Sequence, residues 1–485
     1  MIPTPEISWL AILPELLLAL GAAAVLLVDV QWKPEATTLG GLSGIALLLA
    51  GGATVVQWAH AQNALGLGDP ADLIEFSGMV TMDGFAVFGR FALLVVTGVG
   101  ILGGWRHLDG LGRRSAEALA LVLLSTTGFS IMVASNNLIM LFLGLEVGSL
   151  ALYVLAGLTV ERGRADEAAM KYFLLGSFAS AIFVYGAALL YAGTGELEIL
   201  AIRGFFAGNI LTSPAVVLIG LALVLVGLAF KVSAAPFHSW APDVYQGAPA
   251  GLVGYMAAMA KIAGFAAIAR FLLRGVPELD WSWLPVAAGI SALSMVVGPV
   301  LALVQDDVRR MLAYSGVAHA GFIMTGVVGG STPGVLFYVA VYAVQLVGAF
   351  AVVAVVSGPS SSASPIADYK GLSSRSPGMA AAFTVLLLGM AGLPLTSGFI
   401  AKFRVFSDAW SAGFGWLVIL AVVTSVVAFA FYLRIIVTMY MDQGEGAVSV
   451  GRPARWVLAI SAVVTILWGV FPAMLLDLAR DAFPL

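Results

Sequence analysis

Apolar runs of roughly twenty residues recur along this chain, separated by short polar or Gly/Pro-rich breaks. Such a run is long enough to cross a bilayer as a helix, and a chain made mostly of them has few soluble alternatives. Hydrophobic residues make up 61% of the sequence and charged ones only 10%, with a mean hydropathy of +1.02. A soluble protein cannot hide that much apolar surface, because its exterior stays largely polar. The expected fold class is therefore an all-α polytopic membrane protein.

About fourteen spans are predicted. They fall at 10–30, 38–58, 80–104, 116–135, 137–159, 168–193 and 211–233 in the first half. The second half adds 249–273, 283–304, 310–329, 333–357, 378–402, 414–440 and 456–476. With both termini outside, the inward loops carry Lys33, Arg106, Arg113, Arg114, Arg162, Arg164, Arg309, Arg310, Lys370, Arg375, Arg452 and Arg455. The outward loops hold mainly Arg203, Arg270, Arg274 and Arg480, so the arrangement obeys the positive-inside rule. The start, MIPTPEISWL, has no basic region or small-residue cleavage site and is expected to be no signal peptide.

Cysteine is absent, which excludes disulfides and cysteine-ligated iron–sulfur clusters within the sequence. His60, His107, His238 and His319 are too scattered to suggest a metal or haem cluster. No nucleotide-binding fingerprint appears; the glycines are spread through helices, where small residues permit close packing in lipid. The expected surroundings are lipid and other membrane helices, not nucleic acid.

Four ionisable residues lie in or against the apolar runs: Glu146 in LIMLFLGLEVGSLALYVLAGL, Lys231 in LVLVGLAFKVSAAPF, Lys261 in YMAAMAKIAGFAAIA and Lys402 in AGLPLTSGFIAKF. A charge near the bilayer centre costs roughly 2.5–3.5 kcal/mol on insertion scales, so such residues mark proton or ion routes. Glu146 and Lys261 sit centrally in their spans; the bland alternative for Glu146 is a carboxyl kept protonated by burial. Lys231 and Lys402 sit near the ends of theirs and would be free to snorkel to the interface. Against that, proline and glycine interrupt both segments, in SAAPFHSWAPDVYQGAP after Lys231 and GMAGLPLTSGF before Lys402. Discontinuous helices in corresponding halves are a sequence pointer to a transporter's ion site. Their positions hint at two five-helix repeats of opposite orientation, 116–273 and 283–440, preceded by 10–104 and followed by 456–476.

Other polar residues have two readings each. Arg90, seven residues after Asp83 and so on roughly the same face, suggests an intrahelical or tertiary ion-pair network that fixes packing, with a transport role as the alternative. Lys171 would either snorkel or join a relay. His238 and His319 would carry protons or be satisfied by neighbouring backbone. Tyr314 and Ser315 would hold water or bond locally. Glu15 and Arg434 read as structural or interfacial.

Six segments, taken together and in order, resemble the antiporter-like membrane subunits of proton-pumping NADH:quinone oxidoreductase, respiratory complex I, and its N-type subunits in particular. They are LFLGLEVGSLALYVLAG, EAAMKYFLLGSFASAIFVYG, PFHSWAPDVYQGAPAG, KIAGFAA, RRMLAYSGVAHAGF and GLPLTSGFIAKF. The PDVYQGAP form looks like the N type rather than its sister subunits, and the ending DLARDAFPL is expected to leave no room for the lateral helix one sister carries.

The resemblance implies fourteen spans with inverted repeats. Glu146 and Lys231 would form an acid–lysine pair, Lys261 a central relay and Lys402 the terminal lysine; Lys171, His238 and His319 match positions kept polar. Separating Glu146 from Lys231 would loosen the lysine's proton, which would then pass by way of Lys261 to Lys402 over water, His238 and His319. The resemblance places no cofactor in this chain and expects NADH, FMN, iron–sulfur clusters and quinone in partner subunits of a bacterial inner-membrane complex. The alternative is a subunit of a multisubunit cation/proton antiporter or membrane-bound hydrogenase. A passive scaffold or a stand-alone carrier are further readings, and the intramembrane charges argue against the scaffold.

Overall fold

A computed structural model describes residues 8–67, 73–159, 163–208, 214–358 and 363–482, with the side chains of 65–67 left aside. In chain order the helices are α1 (Trp9–Trp32), α2 (Ala36–Leu67), α3 (Gly84–Gly103), α4 (Trp105–Gly110), α5 (Ser115–Ala134), α6 (Leu138–Gly157), α7 (Arg164–Thr194) and α8 (Ile199–Gly208). There follow α9 (Pro214–Lys231), α10 (Trp240–Gly247), α11 (Ala250–Ala269), α12 (Asp280–Leu303), α13 (Val308–Val328) and α14 (Thr332–Ser357). The last are α15 (Leu372–Arg375), α16 (Pro377–Ala391), α17 (Ser397–Ser411), α18 (Gly415–Met441), α19 (Arg452–Val470) and α20 (Ala473–Asp481).

Thirteen of the described helical stretches are long and apolar enough to cross a membrane. The fourteenth expected span, 378–402, is not one helix. Gly392 and Leu395 take positive φ, the chain unwinds, and α17 restarts at Ser397 and runs to Ser411. Lys402 therefore lies inside the second half-helix, not at the end of a span. The seventh span is broken in the same way: α9 stops at Lys231, Ser233 takes positive φ, and α10 continues after Ser239. A non-glycine residue in the left-handed region costs on the order of 1–3 kcal/mol and persists where the surroundings enforce it. Unwound backbone at membrane depth is tolerated beside protein or water; here the residues next to the lysines, Val232 to Ala235 and Ala391, are buried, whereas Pro236, Pro394 and Leu395 are exposed.

Burial sorts the helices into a centre and a rim. Every residue in the apolar window of α11 is buried, as are most of those in α13 and α14, whereas only about a third of those in α1, α2 and α19 are. A helix apolar on all sides belongs in such an interior. The outer faces carry Leu27, Leu48, Phe178, Val426 and Trp456, all exposed, which suits contact with lipid tails. Close approach relies on missing side chains: a Cβ on Gly128 of α5 would stand 2.1 Å from the Gly148 amide nitrogen of α6.

Two buried ion pairs fasten the N-terminal helices. Arg90 on α3 donates to Glu15 on α1 at 2.8 Å, to Gln57 on α2 at 3.0 Å and to the Ala11 carbonyl at 2.9 Å. Asp83, which caps α3, takes a two-pronged contact from Arg270 at the end of α11, at 2.8 and 2.9 Å. The expected network is thus tertiary: Asp83 and Arg90 each find a partner on another helix. Arg270 is buried in this contact and is no free outward loop charge. Glu15 is structural, and Arg434 ties α18 to Asp306 at 2.6 Å.

A buried lysine route between two broken helices

Glu146 lies on α6, half-buried, with Oε1 enclosed and without a hydrogen-bond partner. One turn further along α6, Ser149 Oγ accepts a 2.6 Å bond from Lys231 Nζ and donates its own hydrogen to the Leu145 carbonyl. Lys231 ends α9 at the break and is 3% exposed; its ammonium also sits 4.9 Å from the Phe129 ring centre. Lys231 thus reaches α6 one turn from Glu146, yet no ion pair within 4.0 Å joins the two among the described residues. The expected acid–lysine contact is not made; Ser149 holds the amine instead.

The break then leads to the second lysine. Lys261, 1% exposed at the middle of α11, donates to the carbonyl of Val232, the residue after Lys231, at 2.9 Å. Its other bond, 2.8 Å, goes to the Gly316 carbonyl on α13. Beside Gly316 there is no side chain: a Cβ there would stand 3.5 Å from both Lys261 Cε and the Tyr342 hydroxyl, which is buried without a partner.

From this point hydroxyls and one imidazole continue the polar path. Ser315, adjacent to Gly316, hydrogen-bonds the Tyr432 hydroxyl, which lies 3.3 Å from His319 Nε2. His319 Nδ1 meets the Tyr338 hydroxyl at 3.0 Å, and its ring stacks on Tyr342 at 4.2 Å between centres. Phe322, one turn along α13, stands between His319 and Lys402: its ring centre is 5.8 Å from the imidazole and 4.6 Å from Lys402 Nζ. Lys402, 5% exposed, donates to the Ala391 carbonyl at 2.8 Å, the last residue of α16 before the second break.

None of the three lysines snorkels, and none has an acidic partner among the described residues. An amine kept this dry without a carboxylate is costly to hold charged. The three amines are bonded instead to one hydroxyl and three carbonyls, and two of these four acceptors, Val232 and Ala391, lie at a helix break.

The remaining candidates stand elsewhere. His238 is half-buried in the first break, its Nδ1 enclosed and unpartnered, and its ring lies 6.3 Å from Tyr314. Lys171 is 43% exposed and bridges Glu167 at 2.7 Å and Asp243 at 2.8 Å, beside a polar cavity of about 260 Å³. Asp243 on α10 also takes a 2.7 Å contact from Arg310 at the head of α13. Sequence reasoning does not single out Ser149, Tyr338, Tyr342, Tyr432 or Asp243. Only the first had a readable signal, a hydroxyl one helical turn after the intramembrane acid. Among the described residues no three His, Asp or Glu side chains gather as a metal site.

Two broken helices that each bring a lysine into a dry centre, with a third lysine between them, define an antiporter-like membrane carrier of cations or protons. The family profile described as NADH:quinone oxidoreductase/Mrp antiporter, transmembrane, matches residues 135–428. The chain is 40% identical over 481 residues to NADH-quinone oxidoreductase subunit N 1 of Solibacter usitatus, covering 98% of this chain and 96% of that one. Among solved structures it is similar to a chain of respiratory complex I from Thermus thermophilus, 32% identical with a TM-score of 0.80, covering 96% of this chain and 98% of the other. A chain of the archaeal membrane-bound sulfane sulfur reductase superposes with a TM-score of 0.85 at 25% identity, covering 98% and 97%. The chain belongs to the NADH:quinone oxidoreductase/Mrp antiporter family and, within it, to the N subunits of NADH-quinone oxidoreductase.

Proposed function

We propose that this chain is the N-type membrane subunit of a complex I and carries protons while quinone is reduced in a neighbouring subunit. The observation that supports this most is the order of the buried groups, which is hydrogen-bonded from Lys231 to His319. Lys231 and Lys261 are joined through the first break, Lys261 and His319 through Gly316, Ser315 and Tyr432, and Lys402 lies beyond Phe322 at the second break.

In this reading Glu146 is the switch. While Ser149 holds the amine, the carboxylate stands apart and the lysine passes its proton inward. When the acid swings to Lys231, the proton is retained. The proton then moves by Lys261 and His319 to Lys402, with water filling the gaps and His238 and Lys171 serving the inward approach. Moving one charge against 100 mV takes about 2.3 kcal/mol, so the energy must be delivered from outside the subunit. NADH, FMN, iron–sulfur clusters and quinone belong to partner subunits, and the immediate neighbours of this chain are the other membrane-arm subunits.

Two five-helix units, 116–273 and 283–440, support the route. Each contains one broken helix packed on a long helix, α9–α10 on α7 and α16–α17 on α14. Five crossings is an odd number, so the second unit is inverted relative to the first. The basic loops support an orientation with the Arg310 end on the inner face of a bacterial inner membrane and both termini outside; Arg162 and the terminal residues lie outside the described ones.

The test is proton pumping by the assembled enzyme in inverted membrane vesicles. Replacement of Lys231 by alanine should abolish or sharply lower pumping in complexes that still copurify with the NADH dehydrogenase subunits. Pumping at the unaltered rate would refute the reading.

A further inference from the structure

Beyond each helix break, the continuing half-helix carries one aspartate held by an arginine. On α10 it is Asp243, twelve residues after Lys231, paired with Arg310 at 2.7 Å and Lys171 at 2.8 Å. On α17 it is Asp408, six residues after Lys402, paired with Arg404 at 3.0 Å and accepting a hydrogen bond from Ser331.

The two lie at opposite membrane faces. Asp243 meets the heads of α7 and α13, whereas Ser331 belongs to the turn that joins the end of α13 to the start of α14. Following the crossings from Gly247, five spans separate the end of α10 from the end of α17. Both carboxylates are partly open to solvent, 37% for Asp243 and 21% for Asp408, while the lysines behind them are dry. Asp243 lines the polar cavity of about 260 Å³ shared with Arg164, Glu167, Lys171 and Gln246.

Along α17 the buried stripe of Ala401, Lys402, Val405 and Ala409 has Asp408 at its edge. Six residues of helix set it roughly 9 Å nearer the surface than Lys402. That distance is within reach of two or three bridging waters.

We propose that Asp243 and Asp408 are the mouth groups of the proton route, the first loading Lys231 from the Arg310 face and the second unloading Lys402 to the opposite face. At the exit, the Lys402 ammonium gives its proton through water to the Asp408 carboxylate. The amine is left neutral, and the resulting carboxylic acid releases the proton to bulk water and returns to its ion pair with Arg404. At the entry the same transfer runs in the other sense, from solution to Asp243 and then to neutral Lys231. This rests on the function proposed above.

The experiment compares whole enzyme reconstituted in proteoliposomes for proton pumping and NADH oxidation. Asp408→Asn keeps the size and the Ser331 contact but cannot be protonated; it should lose pumping, Asp408→Glu should restore it, and Asp243→Asn should lose it as well. A merely structural ion pair is separated by the double variant Asp408→Asn/Arg404→Gln, which removes the stranded charge. The double variant stays defective if Asp408 carries the proton and recovers if it only pairs, and it also serves if the single variant fails to assemble. Full pumping by either asparagine variant overturns the proposal. If Lys402→Ala loses pumping while Asp408→Asn keeps it, only the mouth assignment fails; if neither matters, the function reading itself fails.

Discussion

Lys231 gives its hydrogen bond to Ser149 and not to Glu146, although the serine and the acid lie one turn apart on the same helix. The hydroxyl and the carboxylate therefore compete for one amine. Ser149 holds it in the described arrangement, and Glu146 is left with an enclosed oxygen that has no partner.

Replacing Ser149 by alanine removes the one hydrogen-bond partner that the Lys231 amine has among the described residues and should bias the amine toward Glu146. A buried group deprived of its partner costs about 1–3 kcal/mol, so the shift is large enough to slow proton release. Pumping by Ser149→Ala enzyme should fall while assembly is kept. Unchanged pumping would show that the serine does not govern the pair.

Arg90 and Glu15 form a buried pair whose single loss strands a charge, at a cost of about 3–5 kcal/mol. Arg90→Met and Glu15→Gln should each reduce the amount of assembled enzyme in the membrane. The double variant should recover part of it, because no unpaired charge remains. A double variant as poor as the sum of the two would mean that Gln57, Ala11 and Ser130, the other partners, dominate.

How α5 meets α6 gives a packing test. A Cβ at Gly128 would collide with the Gly148 backbone at 2.1 Å, whereas one at Gly41 meets nothing within 4 Å. Overpacking typically costs about 1–3 kcal/mol, and backbone against backbone has least room to yield. Gly128→Ala should therefore lower thermal stability of the solubilised enzyme, with Gly41→Ala as the silent control. Equal melting of the two would contradict the close approach.

At the head of α3, burial opposes ionisation of Asp83, but the charge of Arg270 and hydrogen bonds from Arg270 and the Ala86 amide outweigh it. Its carboxyl is held below the usual carboxylate range, so the latch between α3 and α11 adds stability above the ordinary aspartate value. That stability is lost as pH falls through the lowered value. Asp83→Asn should thus destabilise the enzyme at neutral pH, and the difference from the parent should shrink only in acid. A difference that is constant with pH would exclude a titrating latch.

Legibility in the sequence follows from how far a residue's meaning depends on neighbours remote in the chain. Glu146 and Lys261 could be read because apolar residues flank them for more than two turns on either side, leaving no interface within reach. Lys231 and Lys402 were ambiguous because hydropathy ends at a break; the helix resumes beyond it, and only the fold shows that the resumed half keeps the lysine covered. Glu15 and Arg90 are 75 residues apart, and Asp83 and Arg270 are 187 apart, so no local pattern links either pair. Tyr338, Tyr342 and Tyr432 look like ordinary aromatic residues of apolar helices until α13, α14 and α18 bring their hydroxyls around His319. Lys171 kept company with the intramembrane lysines in the sequence, yet its side chain reaches solvent and an aspartate.

Lys261 is the most direct place to ask whether these amines exchange protons or only supply a fixed positive charge. Arginine keeps the charge and cannot be deprotonated in a protein, while alanine removes both. The measurement is the number of protons pumped per electron by assembled Lys261→Arg and Lys261→Ala enzymes in proteoliposomes. Both variants should fall well below the parent if the amine must lose its proton in each cycle. Full pumping by Lys261→Arg, with failure confined to Lys261→Ala, would contradict the relay and leave the lysine a structural charge.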